Sequence, residues 1–89
     1  MYFEWDWRKA TENARKHGIS FPEATEVFGD NFSSCVPDPD NSYGEERFLL
    51  FGKTKSGKGL AVSFTEKQDI IRIISARRMT AFERKAYEQ

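Results

Sequence analysis

The residues best suited to chemistry lie near the C-terminus, where arginines gather at the end of an isoleucine-rich run. Ser75 and Arg77 fall on one face of the predicted strand, and Arg72 and Arg78 belong to the same run. An arginine grips a phosphate through a planar fork of N–H groups and keeps its charge at any working pH. It could therefore hold a phosphodiester and stabilise the charge of a transition state, a contact whose loss typically costs about 100- to 1000-fold in rate. The sequence thus predicts an anion-binding strand end.

Two groups that could transfer protons follow on the next predicted helix. Glu83 and Tyr87 are four residues apart, so they project from one face of that helix. Their unperturbed pKa values, about 4 and 10, do not suit proton transfer near neutrality, so the site would have to shift them. Glu83 also completes a T-x-x-E capping box with Thr80, and Tyr87 is equally suited to packing. A catalytic role and a structural role therefore stand side by side for both residues.

The single histidine also allows two interpretations. His17 ends a predicted helix and shares an apolar stripe with Trp7, Ala10 and Ala14. A core-facing imidazole in the last turn, where it meets the helix dipole, has a structural explanation. The alternative is a general acid or base, because histidine titrates near neutrality.

Other chemistries lack the residues that they need. One His and one Cys, far apart in sequence, do not make a zinc site, and we expect neither a metal nor a cofactor. Gly57 and Gly59 lie in a predicted hairpin, whereas a phosphate-binding loop joins a strand to a helix. Cys35 has no second cysteine with which to form an internal disulfide.

Length and charge indicate a small protein with segregated charges. The 89 residues predict one domain, residues 1–89, and 14 basic side chains balance 14 acidic ones. Residues 37–46 carry only acidic charges and residues 47–58 only basic ones, so a phosphate-binding surface can persist at zero net charge. No apolar run approaches the roughly 20 residues of a membrane span, and no signal peptide is visible. We therefore expect a cytoplasmic protein.

Hydrophobic periodicity predicts the element order β-α-α-β-β-β-β-α. The predicted strands are Tyr2–Trp5, Phe32–Val36, Glu46–Thr54, Leu60–Thr65 and the run from Ile70. The predicted helices are Trp7–His17, a segment between the Ser20 cap and Gly29, and one that starts at Thr80. Short connections imply an antiparallel β-sheet, with an N-terminal helical hairpin, a C-terminal helix and a dense turn at residues 37–42. The predicted class is α+β, with the helices on one face of the sheet.

Simple alternation assigns the residues of the last strand to two faces. Ile71, Ile73, Ser75 and Arg77 would share one face, and Ile70, Arg72, Ile74 and Ala76 the other. An arginine within such a strand is expected either to be salt-bridged or to line a cleft.

Three blocks of the chain resemble the BrnT toxin family. The first holds Phe3-Glu4-Trp5-Asp6, Lys9, Asn13, Lys16-His17-Gly18-Ile19-Ser20-Phe21, Ala24 and Val27-Phe28. The second holds Glu45-Glu46-Arg47-Phe48 and Gly52. The third holds Ile71-Arg72-Ile73-Ile74-Ser75-Ala76-Arg77, Glu83-Arg84 and Tyr87. The blocks span nearly the whole chain in the right order and spacing.

The resemblance implies a RelE-like fold and an endoribonuclease toxin of a type II toxin–antitoxin pair. Such a toxin is expected to cleave RNA without a metal, to inhibit translation and growth, and to be neutralised by a BrnA-like antitoxin. That antitoxin carries a ribbon-helix-helix DNA-binding domain, so operator DNA would be bound only through it. By position, the resemblance implies charge stabilisation by Arg77 and Arg47. It also implies proton transfer or positioning by Lys9, His17, Glu83 and Tyr87, and substrate contacts by Arg72, Ser75 and Arg78.

Two other functions remain compatible with the sequence. One is a non-catalytic binding module that acts with a DNA-binding partner in transcriptional autoregulation, its arginines serving as structural ion pairs. The other is a decayed toxin that keeps the fold and still binds the antitoxin.

Overall fold

The computed structural model describes residues 1–38 and 46–88. Its strands are β1 (Tyr2–Glu4), β2 (Ser34–Pro37), β3 (Phe48–Lys53), β4 (Gly59–Lys67) and β5 (Ile70–Arg78). Its helices are α1 (Trp7–His17), α2 (Phe21–Thr25) and α3 (Ala81–Tyr87), with a 3₁₀ helix at Glu26–Gly29. The predicted order of strands and helices is confirmed, although a 3₁₀ turn replaces the end of the second predicted helix. Most of the predicted turn at residues 37–42 lies outside the described residues.

Helix α1 begins and ends where its capping residues require. The Asp6 carboxylate accepts a hydrogen bond of 2.8 Å from the backbone N–H of Arg8. Gly18 adopts φ 71°, a left-handed conformation that glycine tolerates, and its N–H bonds to the carbonyl of Ala14.

The predicted apolar stripe of α1 is wrong except at Ala10, which packs against the core. Trp7 is 69% exposed, His17 is exposed, and the residue that α1 buries is Asn13. The Asn13 amide donates to the carbonyls of Ile19 and Ala76 and accepts from the Ala76 N–H. A side chain that satisfies three backbone groups can be buried despite its polarity, and hydrophobic periodicity does not detect it. The core-facing explanation of His17 therefore fails.

The sheet has the strand order β1-β5-β4-β3-β2. Strands β2 to β5 pair antiparallel in sequence order, as their short connections predict. The prediction of a wholly antiparallel sheet is wrong for β1, which pairs parallel to β5 through Phe3 opposite Ile71. Strand β1 has no short connection to its neighbour, so connection length does not determine its direction.

The core lies between the two N-terminal helices and one face of the sheet, here called the inner face. On the helical side, the core contains Ile19 from the connection between α1 and α2, and Phe21 and Ala24 from α2. The sheet contributes Leu50, Leu60, Val62, Phe64, Ile71, Ile73 and Ala76. Phe28 packs edge-on against both Phe3 and Phe64, with ring centroids 5.2 and 5.0 Å apart. The opposite face of the sheet is called the outer face.

A β-bulge in β5 changes which side chains share a face. Phe64 is opposite Ile73, whereas Ser63 is opposite Ser75, so Ile74 is the extra residue. Ile73 and Ala76 therefore both face inward. Alternation assigned Arg72 and Arg77 to different faces, and the bulge instead places both on the outer face together with Ser75. The predicted faces of β5 are thus wrong beyond Ile73.

Helix α3 lies against the outer face, so the helices do not all cover one side of the sheet. Its start matches the predicted capping box, in which Thr80 and Glu83 exchange side-chain to backbone hydrogen bonds. Glu83 also reaches the outer-face residue Arg77. The segment leading into α3 approaches β4 closely at Gly59, where an added Cβ would lie 3.0 Å from the Met79 sulfur.

Candidate functional site

The best-defined charged group on the outer face is a two-pronged ion pair between β5 and α3. Arg77 Nη1 lies 2.7 Å from Glu83 Oε1, and Nη2 lies 2.9 Å from Oε2. The paired hydrogen bonds from Arg77 are the main reason that the pKa of Glu83 falls to about 2. The same pairing raises the pKa of Arg77. At neutral pH both side chains are therefore charged, and Glu83 in this arrangement holds no proton to donate.

Two buried polar residues lie beside this pair on the outer face. The Ser63 hydroxyl donates to Asp38 Oδ2 at 3.1 Å, and both residues are less than one-tenth exposed. Asp38 is close enough to Arg77 to contribute to the raised pKa of that guanidinium. Ser75 lies directly opposite Ser63 in the strand register. Arg77, Glu83, Asp38, Ser63 and Ser75 together form the outer-face cluster.

Arg47 reaches the same region from the start of β3. Its carbonyl accepts the backbone N–H of Asp38 at 2.8 Å, which brings the two residues side by side. Its Nε atom is buried and has no hydrogen-bond partner within residues 1–38 and 46–88. A buried guanidinium nitrogen without a partner is uncommon, and an anion could satisfy it.

Arg72 shares the outer face but lies apart from the cluster. It is five residues before Arg77, roughly 16 Å along a strand. Its Nη1 pairs with Glu4 at 2.9 Å, and both side chains are nearly half exposed. Glu46 and Glu66 line the same cleft, so this end of the face is less suited to a phosphate.

Tyr87, the last residue of α3, is held in place by a hydrogen bond to Asp30. Its hydroxyl donates a short hydrogen bond to Asp30 Oδ2. Asp30 also accepts the backbone N–H groups of Phe32 and Lys53 at 2.9 and 2.8 Å. Burial and the bond to Asp30 raise the pKa of Tyr87 to about 12. Burial alone would raise the pKa of Asp30, but its three hydrogen bonds outweigh that effect and lower it.

The remaining predicted residues do not join the outer-face cluster. Lys9 and His17 are exposed on α1, which packs against the inner face. Arg78 pairs in register with the core residue Leu60, so its side chain leaves from the inner face. Their predicted roles remain predictions.

Sequence reasoning missed Asp30, Asp38 and Ser63. Asp38 lies in a Pro-Asp-Pro-Asp run that indicated only a turn. Asp30 follows a helix-ending glycine, and Ser63 alternates with apolar residues as any strand serine does. Only the strand pairing and the path of α3 bring these residues to their partners.

The fold is shared with a solved toxin. The chain is similar to the 1.1 Å crystal structure of the Brucella abortus ribonuclease toxin BrnT, with a TM-score of 0.65 and 23% sequence identity. The match covers 90% of this chain and 97% of that one. No curated protein matches the chain. Within the described residues, no helix is long and apolar enough to cross a membrane.

The family follows from the sequence match. A family model described as "Ribonuclease toxin, BrnT, of type II toxin-antitoxin system" matches residues 5–83. The chain therefore belongs to the BrnT family of ribonuclease toxins, and the resemblance found in the three sequence blocks is confirmed. Membership implies an antitoxin partner and an RNA substrate.

Proposed function

We propose that this protein is a metal-independent endoribonuclease whose outer-face cluster holds the RNA phosphodiester. The observation that carries the proposal is the Arg77 fork, which already grips two carboxylate oxygens at 2.7 and 2.9 Å. Two phosphate oxygens fit the same fork. The buried Nε of Arg47, which has no hydrogen-bond partner among residues 1–38 and 46–88, offers a further donor.

The reaction uses the neighbouring 2′-hydroxyl of the RNA as nucleophile. Its oxygen forms a bond to phosphorus and loses its proton, the bond from phosphorus to the 5′-oxygen breaks, and that oxygen takes up a proton. The products are a 2′,3′-cyclic phosphate and a 5′-hydroxyl end. Arg77 and Arg47 stabilise the negative charge that builds on the phosphate, and Ser75 contacts the substrate beside them.

Glu83 and Tyr87 are poorly matched to proton transfer in the observed arrangement. Glu83 and Tyr87 are held by Arg77 and Asp30, and their shifted pKa values, about 2 and 12, lie far from neutrality. Lys9 and His17 could serve only if the RNA passes around the end of the sheet. Arg78 would then contact a nucleotide next to the cleaved bond, and Arg72, roughly 16 Å from Arg77 along the strand, would contact a more distant one.

The wider system follows from the family. We propose that a BrnA-like antitoxin with a ribbon-helix-helix domain neutralises the toxin, and that operator DNA is bound only through it. Cleavage would inhibit translation in the cytoplasm. The short connection Gly18–Ser20 between α1 and α2 supports a helical hairpin. The antiparallel strands β2 to β5 support a fold related to that of the RelE-like toxins. Residues 1–89 would form one domain.

The test is incubation of purified protein with RNA in EDTA. The expected products carry 2′,3′-cyclic phosphate and 5′-hydroxyl ends, and RNA with 2′-O-methyl groups should remain intact. Products with other ends would overturn the mechanism, and loss of cleavage in EDTA would overturn metal independence.

One structural observation favours the non-catalytic alternative. Arg72 and Arg77 are each paired with their own carboxylate, Glu4 and Glu83, as structural ion pairs would be. If the protein is a non-catalytic module, RNA stays intact even at high protein excess, while the complex with the antitoxin still binds operator DNA.

A further inference from the structure

Glu83 occupies the donors that the proposed function assigns to RNA. Both terminal nitrogens of Arg77 point at Glu83 oxygens, and a third hydrogen bond from Nη1 reaches the carbonyl of Arg78. A phosphate can use the fork of Arg77 only after this carboxylate has moved away.

Helix α3 is attached mainly by polar contacts. It is seven residues long and contains no buried residue, and Phe82 is 82% exposed. Its polar contacts include the Arg77–Glu83 pair near its start, the Tyr87–Asp30 hydrogen bond at its end and a looser Lys53–Glu88 pair at 3.6 Å. The Lys53 ammonium also lies 5.9 Å from the centroid of the Tyr87 ring. Little apolar area would be exposed if the helix moved.

The space beneath α3 is open. A groove of about 540 Å³ is lined by Phe51 and Val36 on the strands and by Phe82 and Ala86 on the helix, so side chains do not fill all the space between α3 and the outer face.

We infer that α3 is a lid on the phosphate site, with Glu83 as an internal competitor for Arg77 and the Tyr87–Asp30 hydrogen bond as its latch. That RNA is the ligand of the covered site rests on the proposed function. In the free toxin the lid is closed, and a phosphate that displaces Glu83 shifts the protein to the open form.

Inorganic phosphate tests the lid without RNA. Titration of the intact protein, followed by NMR at the Arg77 side-chain Nε–H, measures phosphate affinity at that guanidinium. Glu83→Gln removes the competing charge but keeps a residue that fits the capping box. We expect it to bind phosphate about 10-fold more tightly, and Tyr87→Phe to bind about 2- to 3-fold more tightly.

Matched controls separate the site from overall charge. Glu12→Gln makes the same charge change on α1, where Glu12 pairs with Arg15 at the surface, and should change affinity less than 2-fold. Adding Arg77→Ala to Glu83→Gln should abolish the gain, as judged by backbone amide shifts on β5. A Glu83→Gln affinity no higher than that of Glu12→Gln would overturn the lid.

A second arm uses a 2′-O-methyl RNA oligonucleotide, which the proposed reaction cannot cleave. Fluorescence anisotropy should show the same order of affinities, with Glu83→Gln tightest. If phosphate binding follows this order but RNA is neither bound nor cleaved, the lid stands and the proposed function fails. If wild-type protein cleaves RNA but Glu83→Gln gains no phosphate affinity, the proposed function stands and the lid fails.

Discussion

A carboxylate paired with a guanidinium has different chemistry from one that is free. The sequence left Glu83 with either a catalytic or a capping role, and the structure gives it a cap and an ion pair. Tyr87 is similarly held by Asp30. At the residue scale, both side chains therefore act first on the position of α3.

The hydrogen bond of Tyr87 should contribute measurably to stability. Tyr87→Phe removes a donor to a charged carboxylate, so we expect the free energy of unfolding to fall by about 1–2 kcal/mol. Urea denaturation measures this change. Tyr2→Phe is the matched control, since Tyr2 is 71% exposed, and an equal loss in both variants would contradict the role of Asp30.

Glu83 should make stability depend on acid pH. Its pKa falls from 4.5 to about 2 on folding, mainly through its hydrogen bonds from Arg77. A group whose pKa is lowered stabilises the fold above its unfolded pKa, and this contribution is lost as pH falls through the folded pKa. We expect the free energy of unfolding to decrease between about pH 4.5 and pH 2, and Glu83→Gln to make that decrease shallower.

Urea denaturation at a series of pH values measures this slope. Glu12→Gln, an exposed change on α1, should keep the wild-type slope. Identical slopes for wild type and Glu83→Gln would show that the ion pair adds nothing to acid stability.

At the element scale, Asn13 joins α1 to the sheet. Asn13→Ala leaves the N–H and carbonyl of Ala76 and the carbonyl of Ile19 without their partner in a buried setting. We expect a loss of about 2–4 kcal/mol in the free energy of unfolding. Lys16→Ala, an exposed change on the same helix, should be nearly neutral by thermal or urea denaturation. A near-neutral Asn13→Ala would show that water replaces the amide.

The contact between the 3₁₀ helix and β3 depends on Gly52. A Cβ there would lie 2.7 Å from Val27 Cγ1 and 3.1 Å from Asp30 Oδ2, so Gly52→Ala should cost about 1–3 kcal/mol. Gly29→Ala is the control, because a Cβ at Gly29 meets no atom within 4 Å. Urea midpoints compare the two variants, and equal midpoints would mean that β3 shifts to accommodate the methyl group.

At the scale of the whole molecule, the sequence predicted the order of elements and the helix caps. Apolar periodicity and the capping residues Asp6, Gly18 and Thr80 are local signals, and local signals were sufficient there. The bulge at Ile74 and the parallel partner of β1 depend on pairing between distant segments. Alternation alone therefore assigned Arg72 and Arg77 to opposite faces.

The candidate site was predictable only in part. Arg77, Ser75 and Glu83 are close in sequence, so their proximity could be foreseen. Asp38 and Ser63 join them through the β2–β3 and β4–β5 pairings, which no local pattern specifies. Lys9 was assigned by family position and His17 by residue type as well, and the fold puts both on the other side of the sheet.

The rate of RNA cleavage by Arg77→Ala tests the central claim most directly. With Arg15→Ala as a control for loss of an exposed arginine on α1, both variants should remain folded by circular dichroism. We predict that Arg77→Ala cleaves RNA at least about 100-fold more slowly than wild type, while Arg15→Ala stays within about 2-fold. A folded Arg77→Ala that cleaves RNA at the wild-type rate would contradict a phosphate site at this guanidinium.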